Sequence, residues 1–319
     1  MNENIQLYAI GNALVDTEIP LSDAAFKTLG IDKGTMTLID EEKLTKQLQI
    51  LSDQDISLAA GGSAANSIYT AAKLGAKTAF SGLVADDKTG HFFMKDLEKL
   101  GIRCKIDVSQ SKIGTGRCLA YIHPDAQRTF ETYLGISAKF SAKDLDSVAL
   151  EQAGIVYCEG YLLSTQEGFE ACLEAQRKST GKIAITLSDI FMVEAFRDRF
   201  KTFLTHKKIS YLFCNEAEIC AYSQKSDMDM AVNLVLKDCE TVIVTQGEKG
   251  ASIYTEHRKI QLEGKKVKAI NTNGAGDTFA GAFLFEISQG NSLEKSGMRG
   301  IELSAKVVQQ SGPRLTVFN

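Results

Sequence analysis

The chain of 319 residues has no tryptophan, only three prolines and four histidines. His91, His123, His206 and His257 show no ligand spacing, which argues against a histidine-built metal centre or a nucleophile triad and leaves surface or incidental roles. The seven cysteines, Cys104, Cys118, Cys158, Cys172, Cys214, Cys220 and Cys239, are odd in number and include no C-x-x-C pair. Most stand in apolar runs such as I-V-Y-C and Y-L-F-C, as small hydrophobes do in a reducing compartment. No apolar run reaches membrane-span length, and MNENIQLYAI lacks a charged region followed by a long apolar one, so a cytoplasmic protein without a membrane partner is expected. Neither sign of charge dominates: the net charge of −4 gives no attraction to nucleic acid. Repeats, low-complexity segments and linker-like runs are also missing, and a composition 44% hydrophobic and 24% charged is that of a soluble enzyme large enough for a sizeable core.

What is present is an alternation of elements. Gln6 to Gly11 reads as a first buried strand, and Lys77 to Gly82 as another, followed by a helix from Thr89 to Leu100. From residue 154 strands and helices alternate: strand Gly154 to Cys158, helix from Thr165, strand Lys182 to Leu187, helix from Val193, strand Ile209 to Cys214. A helix through Tyr222, a helix from Asp227 to Lys237 and a strand Thr241 to Thr245 follow. This pattern predicts a parallel sheet wrapped by helices, with ligands at the carboxyl ends of its strands. Leu14 to Ile19, Thr35 to Ile39 and a hairpin over Gly114 to Leu134, turning at Pro124 to Gln127, suit a separate small sheet with one wet face. The expected architecture is a single α/β domain over residues 1–319, carrying a β lid built from segments near 12–20, 34–39 and 113–134. The open edges of such a lid leave a monomer or a homodimer possible.

Two glycine-rich stretches frame the chemistry. Asn271 to Leu284, N-T-N-G-A-G-D-T-F-A-G-A-F-L, is a tight turn leading into a helix from Thr278 to Ile287. Gly274 and Gly276 let backbone N–H groups approach an anion at the helix mouth. Asp277 either caps that helix or takes a proton from an attacking hydroxyl. Walker A is excluded because no Gly-Lys-Ser/Thr follows, and the dinucleotide fingerprint because Phe279 stands where Gly or Ala is needed. Near the front, G-G-S-A-A-N, containing Gly61, Gly62 and Asn66, opens a small-residue helix stopped at Gly75.

Together with N-E-A-E and T-Q-G-E-K-G, these stretches occur in an order that resembles the ribokinase-like (PfkB) family of carbohydrate and nucleoside kinases over nearly the whole chain. The resemblance implies a three-layer sandwich, with a mainly parallel central sheet flanked by helices and a small β-sheet lid, and ATP-dependent phosphoryl transfer to a primary hydroxyl. In it Asp277 is the catalytic base, and Gly274, Ala275 and Gly276 form an anion hole for the transferring phosphoryl group. Asn215 and Glu218, otherwise a helix cap and a solvated carboxylate, hold the Mg²⁺ region through water. Thr245, Gly247 and Gly250 line the nucleotide path, unless they are a plain strand and turn; Ser304, Ala305 and Val308 flank adenine, unless they are core. Asn12 and Asp16, in G-N-A-L-V-D, with Gly61, Gly62 and Asn66, bind a vicinal diol of the acceptor, Asp16 being otherwise a turn carboxylate. Arg128 either approaches phosphate on lid closure or stays solvated. Asn271 departs from the family, where Asp is usual, and this puts a monovalent-cation site in doubt. The acceptor implied is a nucleoside, adenosine-like at its 5′-hydroxyl; a free sugar, or a relative that binds ligands without catalysis, are the alternatives. Phe26, Tyr133 and Phe169 are among the aromatic side chains available to line a base slot.

Overall fold

The computed structural model describes residues 4–21, 26, 29–31, 36–51, 56–109, 111–123 and 128–318. The expected turn at 124–127 and the side chain of Arg128 lie outside the described residues. In chain order the strands are β1 (Leu7–Ile10), β2 (Leu14–Pro20), β3 (Met36–Leu38), β4 (Ser57–Ala60), β5 (Thr78–Ala85), β6 (Arg103–Ser109) and β7 (Gly116–Ile122). They continue as β8 (Arg128–Tyr133), β9 (Ile155–Cys158), β10 (Lys182–Thr186), β11 (Ile209–Asn215), β12 (Cys239–Thr245), β13 (Gly250–Thr255) and β14 (Arg258–Glu263). The described α-helices begin with α1 (Glu41–Ile50), α2 (Ser63–Lys73), α3 (Lys88–Glu98), α4 (Ser147–Gln152), α5 (Gln166–Lys178) and α6 (Ile190–Ala195). After them come α7 (Arg197–His206), α8 (Glu216–Ser223), α9 (Met228–Val235), α10 (Ala275–Ser288) and α11 (Leu293–Val307).

The large sheet runs β14-β13-β12-β11-β10-β9-β1-β5-β6 and is parallel from β12 to β6. Only the β12-β13-β14 end is antiparallel. Its inner strands are buried on both faces, which is why they read as unbroken apolar runs. In β1, Tyr8 and Ile10 join one core with residues of α5, α7 and α9, while Leu7 and Ala9 join the opposite core with α2, α3 and α10. Helices therefore cover both faces, giving the three layers expected.

The small sheet, β3-β8-β7-β2-β4, gathers the segments foreseen for it and adds β4. Its core of Ile19, Leu119 and Tyr121 packs against Leu44 of α1. Lys43 of α1 also reaches buried Glu131 of β8 at 2.6 Å. His123 is not incidental: it is buried and its ring stacks on Phe26 with centroids 3.6 Å apart. The cysteines are free thiols, and Cys104 and Cys220 are the two that are not fully buried.

Successive strands run outward from β1 in both directions, so the strand order reverses between β1 and β9. A crevice opens there at the carboxyl ends. Gly281 of α10 has no room for a side chain, since a Cβ would stand 2.1 Å from the Ser67 carbonyl oxygen of α2. That close crossing brings the first turns of α2 and α10 together over the crevice.

Candidate active site

α10 begins at Gly274, its N-cap, with φ of +75° and no capping side chain. Asp277 is therefore not the cap; it is the third helical residue, and its carboxylate turns sideways to α2. Ser63 Oγ donates to Asp277 Oδ1 at 2.6 Å, and Asn66 Nδ2 donates to Oδ2 at 2.9 Å. Burial pushes the Asp277 carboxyl above the usual range, against the lowering effect of these two bonds and of Arg314. A carboxyl so tuned accepts a proton more readily than one in water. The first amides of α10 lack intrahelical acceptors and carry the positive end of the helix dipole, although that of Ala275 donates to the Thr272 carbonyl at 3.3 Å. Gly276 is exposed, and a Cβ there would meet nothing within 4 Å. Its backbone thus faces open space that a ligand could fill.

Asp16, on β2, is buried and accepts a bond from Asn273 Nδ2 at 3.3 Å. Burial pushes its pKa up to about 7; Glu18 and Asp277 add to the rise, while the Asn273 bond and the Arg314 charge oppose it. Gly61 sits against this carboxylate, because a Cβ would fall 2.0 Å from Asp16 Oδ1. Gly62 needs its φ of +85° at the start of α2. Asn12, just beyond β1, donates to Glu159 Oε1 at 2.8 Å and accepts from Ser137 Oγ at 2.9 Å. Glu159 also accepts from the Ala64 amide at 2.9 Å, and burial raises its pKa to about 7. This buried carboxylate fixes the crevice floor and was missed in the sequence. Its signal was a lone acid immediately after an apolar strand.

A cavity of about 760 Å³ joins these groups, lined by Asn12, Asp16, Gly62, Asn66, Asp277 and the Asn273–Gly276 loop. At its other side lie Asn215, Glu218 and Thr245. Asn215 and Glu218 form a capping box for α8: the Asn215 side chain accepts the Glu218 amide at 2.8 Å, and Glu218 accepts the Asn215 amide at 3.0 Å. Glu218 is buried rather than solvated, and burial raises its pKa to about 7. Thr245 Oγ1 donates to the Cys214 carbonyl at 3.3 Å.

Gly247, Gly250, Ala305 and Val308 do not line that cavity. Gly247 is exposed with φ of +57°, and Gly250 adopts φ of +103° where a Cβ would strike the Leu262 carbonyl. Ala305 is buried on α11, and Val308 follows it with its carbonyl accepting from the amides of Ile270 and Asn271. Ser304 Oγ donates to the Ala275 carbonyl at 2.8 Å, tying α11 to the first turn of α10. Phe26, Tyr133 and Phe169 do not line the cavity; an apolar side is made by Leu14, Met36, Leu38, Phe130 and Leu134 instead. One face of the small sheet lines the cavity, whereas Phe26 stacks on His123, Tyr133 packs on the core of the other face and Phe169 lies under Arg199.

Known proteins with the same organisation bear on this geometry. A family profile described as "pfkB family carbohydrate kinase" matches residues 31–317. The chain is 26% identical over 332 residues to the adenosine kinase of Schizosaccharomyces pombe, covering 97% of this chain and 96% of that one. The crystal structure of adenosine kinase from Sinorhizobium meliloti superposes with a TM-score of 0.93 at 30% identity, covering 99% of this chain and 97% of that chain. A probable sugar kinase from Rhizobium etli superposes with a TM-score of 0.92 at 31% identity, covering 98% and 96% respectively. The chain belongs to the pfkB family of carbohydrate kinases and is a phosphotransferase that acts on a hydroxyl group.

Proposed function

We propose that this enzyme transfers the γ-phosphate of ATP to the 5′-hydroxyl of a ribonucleoside, adenosine-like. The carrying observation is the Asp277 carboxylate, held by Ser63 and Asn66 at the mouth of α10 in the same cavity as Asp16. Asp16 accepts the ribose diol, with Asn12, Gly61, Gly62 and Asn66 shaping that end of the cavity. Asp277 orients the primary hydroxyl and takes its proton as it attacks. The amides at Gly274, Ala275 and Gly276 receive the charge that spreads over the transferring phosphoryl oxygens. Leu14, Met36, Phe130 and Leu134 offer an apolar slot for a base, which a free sugar does not require.

ATP extends from this centre toward Thr245, with Gly247, Gly250, Ala305 and Val308 along its outer path. Asn215 and Glu218 serve Mg²⁺ through water. Among the described residues there is no group of three His, Cys, Asp or Glu side chains that could hold a metal. Asn215 and Glu218, one amide and one carboxyl, fit an ion that keeps its hydration and is carried largely by nucleotide phosphates, where it neutralises phosphate charge.

The sugar-kinase reading is favoured by one observation, the Rhizobium etli neighbour named a probable sugar kinase. Coupled ADP release across a panel of ribonucleosides and free sugars separates the readings. Adenosine is expected to be turned over, and Asp277→Asn to lower kcat roughly 10³-fold with ATP still bound. Turnover of sugars alone would transfer the assignment to a sugar kinase. Silence with every acceptor while ATP binds would identify a binding protein.

A further inference from the structure

The segment following α11 passes beneath both glycine-rich stretches. Its Arg314 is only 8% exposed, an unusual state for a guanidinium, which is seldom buried without partners. Its Nε donates to Asn66 Oδ1 at 2.8 Å, its Nη1 pairs with Asp96 of α3, and its Nη2 reaches the Gly61 carbonyl at 3.4 Å. The guanidinium also lies 4.9 Å from the Tyr69 ring centroid. Arg314 itself does not line the cavity. Its contacts end on the two residues that hold Asp277 and Asp16: Asn66 bonds the first, and Gly61 packs against the second.

We propose that Arg314 is a positioning residue for phosphoryl transfer, fixing the side-chain amide of Asn66 and through it the orientation of the Asp277 carboxylate. The inference rests on the reading of Asp277 as base. A carboxamide has one donating and one accepting end, whereas a guanidinium only donates. With Arg314 on Oδ1, the Nδ2 of Asn66 must face Asp277. The flipped amide would set donor against donor and oxygen against carboxylate. Ser63 occupies the other oxygen, so the Asp277 plane is held from two sides and its remaining lone pairs face the cavity.

The same cation acts through space. The charged or titratable groups around Asp277 are Asp16 on β2, Glu159 beyond β9, Tyr157 of β9, Tyr161 and Arg314. Those around Arg314 are Asp96, Asp16 and Tyr69. Among the described residues, Arg314 is the one cation in either set. Arginine suits the task better than lysine, since a planar fork can grip Asn66, Asp96 and Gly61 together and a single ammonium cannot.

The test uses Arg314→Gln, Arg314→Lys and Asp96→Asn, with kcat, both KM values and a carbon NMR titration of the Asp277 carboxyl, assigned from its loss in Asp277→Asn. Arg314→Gln is expected to raise the Asp277 titration, because the lowering charge is lost. It should also lower kcat roughly 10²-fold while KM for ATP is unchanged. Arg314→Lys should keep the titration, because the charge stays, yet lose kcat, because the fork is gone. Asp96→Asn, which removes the counter-charge, should move the titration downward. If Arg314→Gln does not fold, the other two variants carry the same opposition between charge and geometry. A folded Arg314→Gln, or an Arg314→Lys, with wild-type kcat overturns the proposal. So does a loss of thermal stability and kcat with the Asp277 titration unmoved in both Arg314→Gln and Asp96→Asn. A wild-type enzyme silent toward every acceptor refutes the base reading instead, and the NMR titration still reports whether Arg314 is coupled to Asp277.

Discussion

The side-chain amide of Asn271 donates to Glu18 Oε1 at 2.8 Å, joining the loop before α10 to β2. Glu18 also accepts the Gly312 amide, and the other end of Asn271 accepts the amide of Asn273 at 2.8 Å. Both side chains are buried. Every polar atom of Asn271 is thus spent on protein, which gives the departure from the usual aspartate a physical content: a carboxylate here would face another carboxylate. Asn271→Asp is expected to cost about 3 kcal/mol at pH 8, where it places a buried charged carboxyl against the buried Glu18 side chain. The introduced carboxyl has a raised folded pKa, so the stability is kept at low pH, where its proton can donate to Glu18, and is lost as pH rises. Thermal melts of both proteins at pH 5.5 and 8 check this. A loss that is equal at the two pH values would refute the buried-pair account.

Gly274 and Gly276 are glycine for different reasons, and alanine should separate them. At Gly274 the φ is +75° and a Cβ would lie 2.0 Å from the Pro313 carbonyl oxygen, so Gly274→Ala is expected to lower Tm by several degrees. At Gly276 a Cβ meets no protein atom within 4 Å. Gly276→Ala should keep the wild-type Tm and lose kcat by roughly 10²-fold, because the methyl occupies the space the phosphoryl group needs. Wild-type turnover in Gly276→Ala would empty that space of its proposed occupant.

The division between what could be read in the chain and what could not follows from the range of the forces involved. Strands from Ile155 to Thr245 were legible because burial on both faces leaves an unbroken apolar run, and α5, α8 and α9 because their caps Thr165, Asn215 and Asp227 are local. The β13-β14 hairpin was missed because its two-residue turn is Glu256-His257, with none of the glycine or asparagine that usually marks one. α1 did carry a signal, Asp40 ahead of E-E-K-L-T-K-Q-L, that went unread. At the site, Asp277, Gly274 and Asp16 stand in recognisable stretches. Ser63, Glu159 and Arg314 became visible only when the fold set them beside Asp277, Asn12 and Asn66, since no spacing links residues so far apart in sequence.

The acceptor-binding role proposed for Asp16 implies that acceptor binding is sensitive to pH near neutrality. Its pKa of about 7 is raised above that of an exposed aspartate, so the stability this group contributes is full below about pH 4 and is lost as pH rises through 7. Binding runs the other way, because a diol needs the ionised carboxylate as acceptor. KM for the acceptor is therefore expected to rise as pH falls from 8 to 6, with KM for ATP flat over the same window at saturating Mg²⁺. Asp16→Asn should remove the dependence and raise the acceptor KM throughout. A pH-independent acceptor KM in the wild-type enzyme would contradict the role given to Asp16.

Glu218 is a cap partner in this fold, and substitutions there separate that role from the cation-handling role proposed for it. As a cap partner it accepts the Asn215 amide, and Glu218→Ala should cost about 1 kcal/mol through fraying at the start of α8. Glu218→Gln can still accept that bond through its carbonyl but loses the bond that Glu218 Oε1 accepts from Asn215 Nδ2 at 2.6 Å, so its Tm should fall less than that of Glu218→Ala. The charge, however, is gone, and the pKa of about 7 means the wild-type group carries that charge only above neutrality. Titration of kcat with Mg²⁺ at pH 8 is thus expected to require roughly tenfold more metal in Glu218→Gln than in wild type. At pH 6, where the wild-type carboxyl is mostly protonated, the two curves should approach one another. If the curves coincide at pH 8 as well, Glu218 is a cap and nothing more, and the metal is held by the nucleotide alone.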